Sequence, residues 1–232
     1  MHLHLLSGGA AQGLIEALGG RLAAETGYAI AGSFGAVGAM RESLLAGGDA
    51  DLLILTAPML RELAQQGHVD AASIRDIGRV RTAVAAPIGA PEPPIDTAAR
   101  LRAALMGADA IYFPDPERAT AGIHFAKVLA ELGITGAVLA AKAKIHANGT
   151  AAMRALAEAG PGALGATQTT EILSTPGVRL LGALPAPFEL ATVYTLALSA
   201  RAAAPGPARV LAKLLTGPDT ADLRARLGFE PL

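Results

Sequence analysis

Strand-like and helix-like segments alternate along almost the whole chain, and this limits the fold more than any single motif does. Apolar runs of strand length fall at residues 3–6, 28–33, 52–56, 80–86, 110–113, 138–145, 163–167, 178–184 and 191–199. Between them lie stretches with apolar residues at helical spacing, at 10–25, 36–45, 58–67, 97–106, 120–132, 149–159 and 169–173; two more, 207–215 and 219–227, close the chain. In the first, Leu14, Ile15, Leu18 and Leu22 mark one face and Gly27 marks the stop. Pro58 suits a first helical turn, where its missing N–H is not needed. Such alternation predicts an α/β protein with mostly parallel sheets flanked by helices on both faces. At 232 residues, two lobes of about 100 residues each fit better than one very wide sheet. The stretch PIGAPEPP, residues 87–94, is the most linker-like piece.

Composition removes several classes of function. A formal net charge of −1 with no Lys/Arg run gives no electrostatic footprint for nucleic acid or an anionic membrane. No apolar run approaches the length of about 18 residues that spans a bilayer, so no membrane insertion is expected. The absence of cysteine excludes disulfides, thiolate catalysis and Cys-based metal sites. The five histidines lack the spacing of a metal motif. No metal and no cofactor are therefore expected. The opening residues MHLHLL carry no basic segment and end too soon for a signal peptide. A cytoplasmic protein and a mature exported chain both fit that reading.

The positions that can carry chemistry are turns where a strand runs into a helix. Four share small or hydroxyl residues: 7–10 (SGGA), 33–38 (SFGAVG), 119–122 (ATAG) and 146–150 (HANGT). A fifth, 167–170 (TQTT), is rich in side-chain donors. Ser7, Thr120 and Asn148 are good helix N-cap types. The first turn of a helix leaves backbone N–H groups without partners and sits at the positive end of the dipole, so these turns are candidate anion sites. In α/β folds such turns gather at the carboxyl edges of the sheets. None is a phosphate-loop or dinucleotide fingerprint, and there is no nucleophile elbow. His124, His146 and Arg118 lie in or beside these turns as candidate ligand partners. Glu171, in the first turn after Gln168, is explained by helix-dipole complementarity.

Three segments resemble the molybdate-type solute-binding proteins of ABC transporters. GDADLLILTA (48–57) is similar to their G-x-x-A-D-V-x-x-x-A strand, DPERATAGIH (115–124) with Ala126 and Lys127 to their D-P-x-x-x-x-A-G-x-x-A-K turn, and LLSGGAA (5–11) to their first ligand loop. The resemblance spans nearly the whole chain. It implies the two-lobed type II periplasmic-binding-protein fold, with residues 1–83 and 194–232 as one lobe and 84–193 as the other. Crossover strands would run at 82–86 and 193–198, and the ligand would lie in the cleft between lobes. The ligand set it implies is Ser7, Gly8, Ala36 and Val37 from the first lobe, and Arg118, Thr120, Ala121, His124, Ala147, Asn148 and Gln168 from the second. Two side-chain positions depart from the molybdate pattern: Val37 stands where that pattern has a serine and Gln168 where it has a tyrosine. A larger organic anion is then the natural candidate. The resemblance also implies a periplasmic location, an ABC transporter permease as partner and a monomeric state. Some relatives on this scaffold are similar to aconitate isomerases, and in that alternative His124, His146 and Glu171 would be the acid–base groups. A ligand-sensing domain is a third reading.

Overall fold

The computed structural model describes every residue, Met1–Leu232. The elements in chain order begin with β1 (His2–Gly8), α1 (Gln12–Thr26), β2 (Ala29–Gly35), α2 (Val37–Leu45), β3 (Leu52–Thr56), α3 (Ala57–Gln65) and the long β4 (Arg75–Pro87). They continue with α4 (Ala98–Gly107), β5 (Ile111–Pro114), α5 (Thr120–Glu131), α6 (Gly136–Lys142), β6 (Ala143–His146), α7 (Gly149–Ala157), β7 (Leu164–Gln168), α8 (Thr169–Leu173) and β8 (Val178–Ala183). The chain ends with β9 (Ala191–Leu198), α9 (Pro205–Thr216) and α10 (Ala221–Arg226). The chain forms two compact units, Met1–Val80 with Thr192–Leu232, and Arg81–Ala191. It leaves the first unit within β4 and returns to it at the start of β9.

The sheet of the first unit runs β2-β1-β3-β9. β1 is parallel to β2 and β3, and β9 lies antiparallel on β3. Leu52, Leu53, Ile54 and Leu55 are all fully buried, the pattern of a central strand covered on both faces. The second Asp of the GDAD segment is structural. The Asp51 carboxylate accepts from the backbone N–H of His4 at 2.8 Å and of Ala204 at 2.7 Å, so it ties β1 to the segment leading into α9.

The second unit runs β4-β7-β5-β6, with β8 on the other edge of β4. β5 is parallel to β6 and β7, while β4 is antiparallel to β7. Alternate residues of β4 enter two different cores, as the pleat requires. Val84 and Ala86 join Ile111, Phe113, Phe125 and Leu129 beneath α4 and α5. Ala83 and Ala85 join Met153, Leu156 and Ile172 beneath α7 and α8. Phe113 and Phe125 meet edge to face at 5.6 Å between ring centroids, which locks α5 onto β5.

Two sequence expectations need correction. The run 138–145 is not one strand: Gly136–Lys142 is helix α6 and only Ala143–His146 is strand β6. The first part is rich in Ala, a strong helix former, and holds a single β-branched residue, Val138. The proline-rich stretch 87–94 is not the link between units. It lies within the second unit, with Ala90 and neighbouring Ile95 buried in that unit's core.

Candidate functional site

In the first unit the strand ends align by register: Ser7 is opposite Phe34 and Ile54, and Gly8 is opposite Gly35. α2 and α3 start from Ala36 and Thr56, and neither N-cap side chain closes its helix. Ser7 does not cap a helix, contrary to its residue type. It belongs to β1, is fully buried, and its hydroxyl donates to the Gly8 carbonyl at 2.9 Å. Gly8 must be small, because a Cβ there would lie 2.7 Å from Val37 Cγ1 and 3.2 Å from Tyr194 Cε1. Gly8, Ala36, Val37 and Tyr194 are thus packed at one edge, and this edge is largely apolar. Tyr194 was not singled out from sequence, although it is the one aromatic residue in an otherwise aliphatic and hydroxyl-bearing strand.

In the second unit the β5–α5 turn explains the D-P-x-x-x-x-A-G spacing. Asp115 Oδ1 accepts from the backbone N–H of Glu117 at 2.7 Å and of Arg118 at 3.1 Å, and the Asp115 carbonyl accepts from Ala119 N–H at 3.1 Å. This folds the loop tightly and leaves Arg118 on its exposed side. Gly122 must lack a side chain, since a Cβ would lie 2.2 Å from the Asp115 carbonyl oxygen and 2.3 Å from that of Pro114. The N-cap is Ala119 rather than Thr120, and it supplies no side-chain bond. The N–H groups of Thr120, Ala121 and Gly122 therefore open α5 uncapped.

Gln168, at the end of β7, is 2% exposed, and neither its Nε2 nor its Oε1 has a hydrogen-bond partner. Its register partner on β4 is Thr82, whose hydroxyl is equally buried and equally unpartnered. Residues opposite one another on antiparallel strands share a face. Ala166 and Leu164, two and four positions back along β7, belong to the core beneath α5. By strand alternation the Gln168 amide and the Thr82 hydroxyl lie on the α5 side.

The other face is closed differently. Asn148 caps α7 as expected, its Oδ1 accepting from Ala151 N–H at 2.9 Å. Glu171 is 6% exposed and accepts from Thr167 Oγ1 at 2.5 Å and from the backbone N–H groups of Gln168 and Thr150. It thereby closes both its own helix α8 and the neighbouring α7. Burial pushes its carboxyl above the usual 4.5, against the opposing pull of those hydrogen bonds. A Cβ on Gly149 would fall 1.9 Å from Glu171 Oε2, so the glycine makes room for the carboxyl.

The histidines are partly engaged. His124 Nε2 lies 2.8 Å from the Phe188 carbonyl. A carbonyl can only accept, so Nε2 carries the hydrogen, and in the neutral ring Nδ1 is left as the acceptor. His146 stacks on Tyr112 at 5.8 Å, and burial holds its pKa below the ordinary 6.5. Ala147 lies between His146 and the α7 cap, where its backbone is available to any residue type. Thr82 was missed by sequence reasoning, because its place opposite Gln168 depends on strand register, which local spacing does not reveal. Thr167 belongs to the donor-rich turn 167–170, and its partner Glu171 is only four residues on.

A family model described as bacterial extracellular solute-binding protein matches residues 3–230. An aconitate isomerase from Pseudomonas sp is 26% identical over 184 residues, spanning 79% of this chain and 68% of that one. The periplasmic molybdate-binding protein of Azotobacter vinelandii has the same fold, with a TM-score of 0.82, 19% identity, and 99% of each chain covered. The sulfate-binding protein SubI of Mycobacterium tuberculosis H37Rv also matches, with a TM-score of 0.75 and 18% identity over 100% of this chain and 87% of that one.

Proposed function

We propose that this chain, which belongs to the bacterial extracellular solute-binding protein family, captures a small anion through bare helix N-termini and neutral side-chain donors. The carrying observation is Gln168: a fully formed amide, 2% exposed, with no partner for donor or acceptor, beside the uncapped start of α5. An unpaired buried polar group costs about 1–3 kcal/mol, so a ligand that completes its hydrogen bonds recovers that energy on binding. Ser7, Gly8, Ala36 and Val37 of the first unit and Arg118, Thr120, Ala121, His124, Ala147, Asn148 and Gln168 of the second are the proposed contacts, each set on its own unit.

The mix favours a carboxylate-bearing organic anion. Val37 offers no hydroxyl, and an amide both donates and accepts, which suits a ligand carrying oxyanion and hydroxyl or protonated oxygens. Membership of the family supports a periplasmic location and delivery to an ABC transporter permease.

The test is a thermal-shift panel of molybdate, tungstate, sulfate, citrate and aconitate. A ligand at a hundred times its dissociation constant stabilises by about 2.7 kcal/mol. Gln168→Leu should cut affinity at least about tenfold while leaving the free protein as stable or more so, because it removes an unsatisfied amide. Flat melting curves for every anion would refute the reading. A catalytic reading rests on the aconitate isomerase relative and on the acceptor nitrogen of His124. Exchange of aconitate hydrogen with deuterated solvent, followed by proton NMR, would favour it.

A further inference from the structure

We infer that Thr82, together with Gln168, selects a ligand that carries a hydroxyl group beside its carboxylate, so the captured anion is a hydroxycarboxylate rather than an inorganic oxyanion. This rests on the anion reading above and adds to it a specificity-determining residue and a narrower ligand class. Of the buried polar side chains without a partner in the second unit, Thr82 and Gln168 are the two that stand opposite one another in a sheet. Thr82 is fully buried and Gln168 nearly so.

Each strand independently places its group on the same face. Val84 and Ala86, two and four positions after Thr82, enter the core beneath α4 and α5, as Ala166 and Leu164 do on β7. The main chain at both positions is already bonded elsewhere. Thr82 N–H donates to the Leu190 carbonyl at 3.0 Å, and the Thr82 carbonyl accepts from Leu184 N–H at 3.1 Å. Both main-chain groups of Thr82 therefore point away from β7. That makes Thr82 and Gln168 a non-hydrogen-bonded pair, with Cα atoms about 4.5 Å apart and side chains at their closest. Gln168 N–H donates to Glu171. Only the side chains are left over, and they do not satisfy each other: Thr82 Oγ1, Gln168 Nε2 and Gln168 Oε1 all lack a partner. β7 is parallel to β5, so Gln168 stands at the sheet edge from which the uncapped α5 rises.

The donors and acceptors of this pair define the guest. The amide has two N–H donors and an acceptor oxygen, and the hydroxyl has one donor and its own lone pairs. A deprotonated oxyanion such as sulfate or molybdate offers acceptors only. It can take the Nε2 and Oγ1 hydrogens, but Gln168 Oε1 then stays unpaired in a buried site and faces the lone pairs of the guest. A ligand hydroxyl completes the set, since it donates to Oε1 and accepts from Oγ1–H or Nε2–H. The carboxylate falls to the first-turn N–H groups of α5, at Thr120, Ala121 and Gly122, where the helix favours negative charge. A site built this way rejects an analogue without the hydroxyl, because buried polar groups are then left unpaired.

The experiment measures the affinity of the full chain by calorimetry for sulfate, molybdate and pairs of acids that differ by a single hydroxyl: lactate and propionate, malate and succinate, citrate and tricarballylate. In at least one pair the hydroxy acid should bind roughly 10-fold to 100-fold more tightly than its deoxy partner, the effect of leaving one buried group unpaired. Thr82→Val keeps the shape and removes the hydroxyl, so it should lower that ratio at least about threefold and leave the free protein as stable or more so. Thr82→Ser keeps the hydroxyl and should hold the wild-type ratio. A packing role for Thr82 would move stability but not the ratio. Should Thr82→Val fold poorly, the serine variant decides: a ratio that falls in Thr82→Ser would assign the effect to the methyl group and overturn the role of the hydroxyl. Equal affinity within every pair, binding of inorganic oxyanions alone, or a ratio unchanged in Thr82→Val overturns the inference and leaves the anion reading standing. Absence of binding by every anion sinks the anion reading and this inference with it.

Discussion

Two helices of the second unit begin at the same sheet edge and end their first turns in opposite ways. α5 opens from Ala119 with no side-chain cap, and its first residues are Thr120, Ala121 and Gly122. α7 opens from Asn148 and is closed twice, by the Asn148 side chain and by the Glu171 carboxyl. Both starts use a glycine that tolerates no Cβ, but for different reasons. At Gly122 the obstruction is main chain, the carbonyls of Asp115 and Pro114; at Gly149 it is side chain, Glu171 and Thr167. The bare start is held by rigid backbone, with its first-turn donors uncapped by any side chain of the N-cap. The closed start has its Thr150 and Ala151 N–H groups taken by side chains of the same unit. The difference is one of hydrogen-bond completion at two otherwise similar strand-to-helix turns.

The largest effect should come from Gly122→Ala. The new methyl would meet backbone oxygens 2.2 and 2.3 Å away, and these cannot rotate aside. We expect a loss of about 3 kcal/mol, or a fall in melting temperature of roughly 6–12 °C, with loss of anion affinity because α5 must shift. Gly149→Ala should cost about 2 kcal/mol, since Glu171 and Thr167 can swing away but then leave Thr150 N–H unpaired. Adding Glu171→Ala to Gly149→Ala should recover part of the loss. Simple additivity of the two in chemical denaturation would show that Gly149 is not shaped by the carboxyl.

A pair of cap exchanges then sharpens the contrast at about 1 kcal/mol each. Asn148→Ala should destabilise by that amount, as loss of an N-cap usually does. Ala119→Ser should do the reverse: Ala119 already has the extended backbone of an N-cap (φ −97°, ψ 127°), so a serine hydroxyl can take a first-turn N–H. It should stabilise the free protein and weaken anion binding at once. A serine that left affinity unchanged would remove α5 from the binding surface.

Much of this architecture was legible before any coordinates. Strand β3 and helix α8 fall at the bounds read from apolar period alone, because each is a continuous short run with clear punctuation. The turns at Ser7, Ala119 and Asn148 were legible because small residues between a strand and a helix have few other uses. The helix α6 was not, since a run such as VLAAKAKI satisfies a strand by apolarity and a helix by its alanines, and only packing decides. The charge chemistry was the least legible part. Glu171 looked like an ordinary first-turn acid, because its bond to Thr150 spans two helices. Thr82 became visible only when the β4–β7 register set it opposite Gln168. Local periodicity reports which residues repeat, while these contacts depend on which strands become neighbours.

The smallest effects lie in the pH dependence of stability, and there two residues of this edge pull in opposite directions. Glu171 is raised above 4.5 by burial, so the native state holds its proton where the unfolded chain has released it. Its contribution is complete below 4.5 and is lost as pH rises through the raised value. His146 is lowered below 6.5 by burial, so the native state resists a proton that the unfolded chain accepts. Its contribution is complete above 6.5 and is lost as pH falls through the lowered value. The His146 effect should be the weaker, because that ring is partly exposed and solvent screens it, whereas Glu171 is buried. The two windows run toward one another, Glu171 from 4.5 upward and His146 from 6.5 downward, so the fall of melting temperature with rising pH due to Glu171 should exceed the opposing rise due to His146. Glu171→Gln should remove the fall and leave the rise, and His146→Phe should do the opposite while keeping the stack on Tyr112. If Glu171→Gln left the fall with rising pH unchanged, burial would not hold a proton on this carboxyl in the native protein, and the closed start of α7 would carry a standing negative charge.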